Sequence, residues 1–193
     1  MDYAFDLFHE RELVEKVTVR RKHIRELVFR LLAENKVDRP PVPVERIARS
    51  QTVLIRKQAV DDTVSGFLYR NISTDKKLIG VNKRQHPNRQ RFTVAHELGH
   101  LLLHSVSDVH VDKAFSVKHR DERSSEGMDV EEMEANLFAA ELLVPVHFLQ
   151  DDLKRLGDLD LLHDEKIAQL AKLYRVSNQA MAVRLSHLGY LDI

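Results

Sequence analysis

His96-Glu97-Leu98-Gly99-His100 is an H-E-x-x-H sequence set within a run of helical periodicity. Imidazoles four residues apart on a helix lie one turn apart on one face, where both can reach a single cation. Zinc takes imidazole nitrogen at ~2.0–2.1 Å and, in hydrolytic sites, keeps one position open for water. Glu97 stands beside the first histidine. It can accept a proton from that water, whose pKa the metal lowers from ~15.7 toward ~7. The same five residues allow a plainer reading, a helix with two exposed or capping histidines. The surrounding pattern weighs against it. His96 and His100 share a face with Phe92 and Leu103, so they point inward, where unpartnered imidazoles are costly to bury.

Such a site needs a third protein ligand. His104 continues the stripe, but eight residues from His96 is ~12 Å of helix rise, too far for one metal. It fits a neighbour of the ligands, a substrate contact or a packed histidine. The ligand should therefore come from another helix, and residues 130–145 supply one. Phe138, Leu142 and the small Ala135 and Ala139 form a face that can pack close to the first helix. Glu132 lies near that face and is the candidate, with Glu134 in reserve; a lone helical Glu is otherwise a solvated surface residue. With no Cys in 193 residues and 11 His, any metal site must use His and carboxylates.

The elements that must position these groups follow from periodicity. Leu13, Val17, Ile24, Leu27, Val28, Leu31 and Leu32 predict an amphipathic helix over 10–36. Pro40-Pro41-Val42-Pro43 makes a stiff connector, and residues 44–48 a short helix. Residues 52–56, 65–70 and 77–82 read as three short strands. The active helix begins near Pro87, residues 105–129 read as a polar excursion loop, and the glutamate helix spans 130–143 and stops at Pro145. Two helices, 167–174 and 178–188, close the chain, with Ser177 as cap of the second.

Several features carry two readings. The strand at 77–82 either offers an edge that holds an extended substrate by main-chain pairing or is an ordinary core strand. His104, Tyr69 and the 105–129 loop are candidates for stabilising the oxyanion. The last two helices have helix-turn-helix spacing, but Asn178, Gln179 and Arg184 make a thin DNA-reading face; a hairpin packed on the core fits better. The basic run Arg20-Arg21-Lys22-His23 with Arg25 reads as a solvated face, or as a docking surface for an acidic partner.

Thirty Lys+Arg against 30 Asp+Glu give zero net charge, which disfavours a duplex-binding protein, since phosphate contacts need a basic excess. The absence of Cys excludes disulfide scaffolds, thiolate zinc, iron–sulfur clusters and a thiol nucleophile. No apolar run approaches the ~20 residues of a membrane span. The N-terminal Met1-Asp2-Tyr3-Ala4-Phe5-Asp6 is acidic where a signal peptide is basic. A cytoplasmic protein is expected, with neither nucleic acid nor membrane as partner.

Residues 90–104, followed by 132–145, resemble the ImmA/IrrE family of bacterial zinc metallopeptidases. So do residues 41–48, the Gly80-Val81-Asn82 run before the active helix, and the C-terminal pattern from Leu170 to Gly189. The resemblance implies a minimal, gluzincin-like α+β fold: a small three-stranded or slightly larger sheet, an active-site helix, a glutamate helix and a C-terminal helical hairpin. The expected organisation is an N-terminal amphipathic helix over 1–39, a metallopeptidase core over 40–155 and the hairpin packed on that core over 156–193; the resemblance covers roughly 41–190. It implies one zinc per chain on His96, His100 and Glu132, with Glu97 as base. It further implies cleavage of a cognate Xre-family helix-turn-helix repressor, relieving repression of a mobile element or stress response. A module that controls a repressor or toxin by association alone is the alternative.

Overall fold

A computed structural model describes residues 18–105, 109–113, 125–156 and 164–191. The β-branched runs form β1 (Val53–Gln58), β2 (Val64–Asn71) and β3 (Lys76–Asn82), and β4 (Val109–Lys113) joins them in one mixed sheet of order β1-β3-β2-β4. β1 runs parallel to β3 with Ile55 opposite Ile79. β2 is antiparallel to β3 and to β4, with Leu68 opposite Ile79 and Phe67 opposite Val111. Two sequence readings change here. Part of the expected 105–129 loop is a strand, because Val109-His110-Val111 alternates and β2 presents an edge to pair with. The 77–82 strand is central, with both edges filled, so it cannot take a substrate strand; Ile79 and Val81 are core residues.

Seven helices accompany the sheet among the described residues: α1 (Arg21–Glu34), α2 (Val44–Ser50), α3 (Pro87–Leu103), α4 (Ser125–Leu143), α5 (Val146–Leu156), α6 (Asp164–Tyr174) and α7 (Asn178–His187). The fold is α+β, the minimal zincin-like arrangement. None of these helices is long and apolar enough to cross a membrane. α3 is buried on nearly every side, from Thr93 through Leu101. It can lie close on the sheet because Gly66 has no side chain; a Cβ there would come within 2.4 Å of Thr93 Cγ2. Its start is fixed by Pro87 in the first turn and by His86 Nδ1, which accepts from the Asn88 amide at 3.2 Å. Buried Asn82 holds the β1–β2 connection, donating to the carbonyls of Asp61 (3.1 Å) and Val64 (3.0 Å).

Three boundaries differ from the expected ones. α1 starts at Arg21 rather than near residue 10, with Thr18, Val19 and Arg20 outside the helix. The Arg20 backbone N–H is committed to the Glu134 carboxylate at 2.7 Å, a tertiary bond that competes with helix; residues 1–17 lie outside the described ones. α4 begins at Ser125, five residues before the apolar pattern shows. Pro145, read only as a stop, also precedes α5, whose Phe148, Leu149, Asp152 and Leu153 are buried at helical spacing. The last two helices form as expected, with Ser177 Oγ accepting from the Ala180 amide at 3.1 Å. They are tied to the rest by Tyr174, whose hydroxyl donates to buried Asp152 at 2.7 Å, and by Asn88, whose amide donates to the Val176 carbonyl at 2.8 Å.

Candidate metal centre

The centre is made by one helix pair. Gly99 of α3 faces Ala135 and Phe138 of α4; a Cβ at 99 would stand 3.1 Å from Phe138 Cδ1 and 3.2 Å from Ala135 Cα. Glycine at 99 and alanine at 135 let the two backbones approach, bringing a carboxylate of α4 to the imidazoles of α3. His96 Nε2 and His100 Nε2 are 3.1 Å apart. Glu132 Oε1 lies 3.1 Å from His100 Nε2, and Oε2 lies 3.5 Å from His96 Nε2.

These separations carry a test of fit. Four donors placed tetrahedrally at ~2.05 Å from one zinc are spaced ~3.3 Å from each other. The two imidazole nitrogens, 3.1 Å apart, match two such corners, and the Glu132 carboxylate, one oxygen 3.1 Å from His100 and the other 3.5 Å from His96, stands where a third ligand would, leaving a position for water or a substrate oxygen. The set also forms the one group among the described residues with three possible donors for a metal. Both imidazoles are buried, whereas the Glu132 side chain is 44% exposed, so the group opens to solvent on its α4 side. Phe92, one turn before His96, stacks against that ring at 6.0 Å. Glu97 is fully buried beside His96.

The other predicted residues are placed differently. Glu134, two residues from Glu132, points elsewhere and is spent on Arg20 and His104. Arg20 Nε donates to Oε1 at 2.9 Å and Nη2 to Oε2 at 2.5 Å, and His104 Nε2 stands 3.1 Å from Oε2. Burial alone would raise this carboxyl, but the Arg20 hydrogen bonds and the His104 contact outweigh it and hold it at about 2. His104 Nδ1 lies 3.3 Å from His100 Nδ1, so His104 neighbours the ligands, one of its expected roles; burial pushes its pKa below the ordinary value despite Glu134. The Tyr69 hydroxyl accepts from the Asn71 side-chain amide at 3.2 Å. Residues 106–108 and 114–124 of the third oxyanion candidate lie outside the described residues.

Arg184 is buried rather than presented to a partner. It donates to both oxygens of Glu141, at 3.1 and 2.6 Å, and to the Val144 carbonyl at 3.2 Å. This removes the strongest member of the supposed DNA-reading face. The basic run is likewise only partly a solvated face: Arg25 Nε donates to Glu141 at 3.0 Å, as Arg20 does to Glu134. Sequence reasoning missed both anchors. The one available signal is that Glu134 and Glu141 sit seven residues apart among buried apolar positions of a single helix.

Comparisons with known proteins identify the family. Residues 48–186 match the peptidase M78 family, described as an IrrE N-terminal-like domain. An 81-residue stretch, 42% of the chain, is 37% identical to the radiation response metalloprotease IrrE of Deinococcus deserti, covering 27% of that protein. The fold is similar to that of a Mycobacterium tuberculosis transcriptional regulator, at a TM-score of 0.60 and 14% identity, over 86% of this chain and 46% of that one. The chain thus matches less than half the length of either relative. At 14% identity the second likeness concerns the fold alone. Since the family match spans most of the chain and contains both helices of the metal centre, the protein belongs to the ImmA/IrrE family of metallopeptidases.

Proposed function

We propose that this protein is a zinc-dependent endopeptidase, cytoplasmic, whose substrate is a cognate Xre-family helix-turn-helix repressor. The observation that carries the reading is the His96, His100 and Glu132 donor set, gathered closely enough for one metal ion, beside a buried glutamate. One zinc would be held per chain by these three residues; when bound it supplies Lewis acidity and lowers the pKa of a water. Glu97 accepts a proton from the attacking water as its oxygen adds to the peptide carbonyl carbon. Glu97 then delivers that proton to the amine as the C–N bond breaks. His96 and His100, almost without solvent contact, hold their rings in place through the reaction, and the exposed Glu132 side faces the approaching chain.

The repressor as substrate rests on the family resemblance and on neutral charge, which favours a protein partner over DNA. The test is to incubate the purified protein with candidate Xre-type regulators from the same genome, with zinc and with chelator. Discrete regulator fragments that appear only with zinc are the expected result. A stable, uncut complex that survives chelation would instead make the protein a binding module.

A further inference from the structure

We infer that Arg20, Glu134 and His104 form a positioning chain that fixes the His100 imidazole for metal, and that the residue capping the start of α1 is thereby part of the metal centre. The inference rests on the metal reading above and adds residues that the H-E-x-x-H motif does not contain.

The hydrogen-bond directions leave one consistent arrangement. Glu134, an ionised carboxylate gripped by Arg20, can only accept, so His104 Nε2 donates to its Oε2 across 3.1 Å. In a neutral His104 the other nitrogen, Nδ1, is then an acceptor. It faces His100 Nδ1 at 3.3 Å, so His100 Nδ1 carries the proton and donates. That tautomer leaves the lone pair of His100 on Nε2, the atom that faces His96 Nε2 and Glu132. A carboxylate that orients a ligand through a second histidine also makes that ligand a better donor.

The chain begins outside the helix pair. Arg20 Nη2 also donates to the Leu103 carbonyl at 3.0 Å, so one guanidinium joins the end of α3 to Glu134 of α4. A second bond of the same kind stands seven residues further along α4, from Arg25 to Glu141, and leads to Arg184 rather than to a metal ligand. The two arginines are similarly exposed, 49% and 53% at the side chain. Both fasten α1 to α4, and only the first continues to the centre.

That pair of contacts is the basis of the test. Zinc affinity is measured by competition with a chromophoric chelator for the wild type, Arg20→Met, Arg25→Met and His104→Phe. The expected result is a Kd about 10–100-fold weaker in Arg20→Met and His104→Phe, and unchanged in Arg25→Met. In the zinc-loaded wild type, a long-range proton–nitrogen spectrum should show the His100 proton on Nδ1, slow to exchange, and Arg20→Met should speed its exchange. Equal zinc affinity in Arg20→Met and Arg25→Met would reduce Arg20 to a fastening of α1 and overturn the inference. A wild type that takes up no zinc would overturn the metal reading itself. Should His104→Phe fail to fold, the two arginine variants decide alone.

Discussion

At the level of single residues, two glutamates two positions apart on α4 have opposite fates, and helix geometry explains why. Positions two apart lie roughly 200° around the axis from each other, so Glu132 can face the imidazoles while Glu134 turns to Arg20 and His104. Glu97 has a third role, as proton carrier. Exchanging it for glutamine removes the base without removing a ligand, so Glu97→Gln should retain zinc while its kcat falls by about 10²–10⁴, as read by metal content and turnover. Glu134 makes a different prediction. Its carboxyl titrates at about 2 in the fold, against an ordinary value of 4.5 when unfolded, so between these values the unfolded chain binds more protons. Its stabilising contribution is therefore complete above about pH 4.5 and lost as the pH falls toward 2. Glu141, also held below its ordinary value by Arg184 and Arg25 against the opposing effect of burial, adds to the loss in the same direction. Denaturant unfolding across this range should show a shallower fall for Glu134→Gln than for the wild type; equal slopes would contradict the assignment.

Among the elements, the α3–α4 contact matters most, and it depends on what Gly99 lacks. Valine at 99 would force its branched side chain against Phe138 and the Ala135 backbone, where even a Cβ is tight. Gly99→Val should cost about 1–3 kcal/mol of stability and weaken zinc binding, measured by thermal melts and chelator competition. Unchanged zinc affinity would show that the helices need not approach so closely. Much of this level was legible in the sequence. Periodicity placed α3, α4 and the last two helices, and the apolar face containing Ala135 and Phe138 pointed to the pairing. What escaped was governed by distant partners or by ambiguous punctuation. α1 starts late because of a bond to Glu134, 114 residues away. Pro145 ends one helix and precedes another. β4 is five residues long within a charged stretch and becomes visible only when β2 offers an edge.

For the whole molecule, two charge networks centred on the buried Glu134 and Glu141 join the N-terminal helix with its cap, and the C-terminal hairpin, to the glutamate helix: Arg20–Glu134–His104 and Arg25–Glu141–Arg184. Removing Arg184 leaves Glu141, 2% exposed, with only a half-exposed Arg25. Arg184→Met should therefore destabilise the fold by about 3 kcal/mol, measured by chemical denaturation; a neutral result would mean that the hairpin is held without this ion pair, by its apolar contacts and the Tyr174 and Asn88 hydrogen bonds. The pairing at this scale is not readable from one sequence, since 30 basic and 30 acidic residues allow too many combinations. The central claim, a zinc peptidase with Glu97 as its base, is tested most directly by one side-by-side measurement. Zinc content and fragment formation from the cognate regulator are followed for wild type and Glu97→Gln. One zinc per chain in both, with fragments from the wild type alone, is the predicted result; fragments formed equally by purified Glu97→Gln would contradict it.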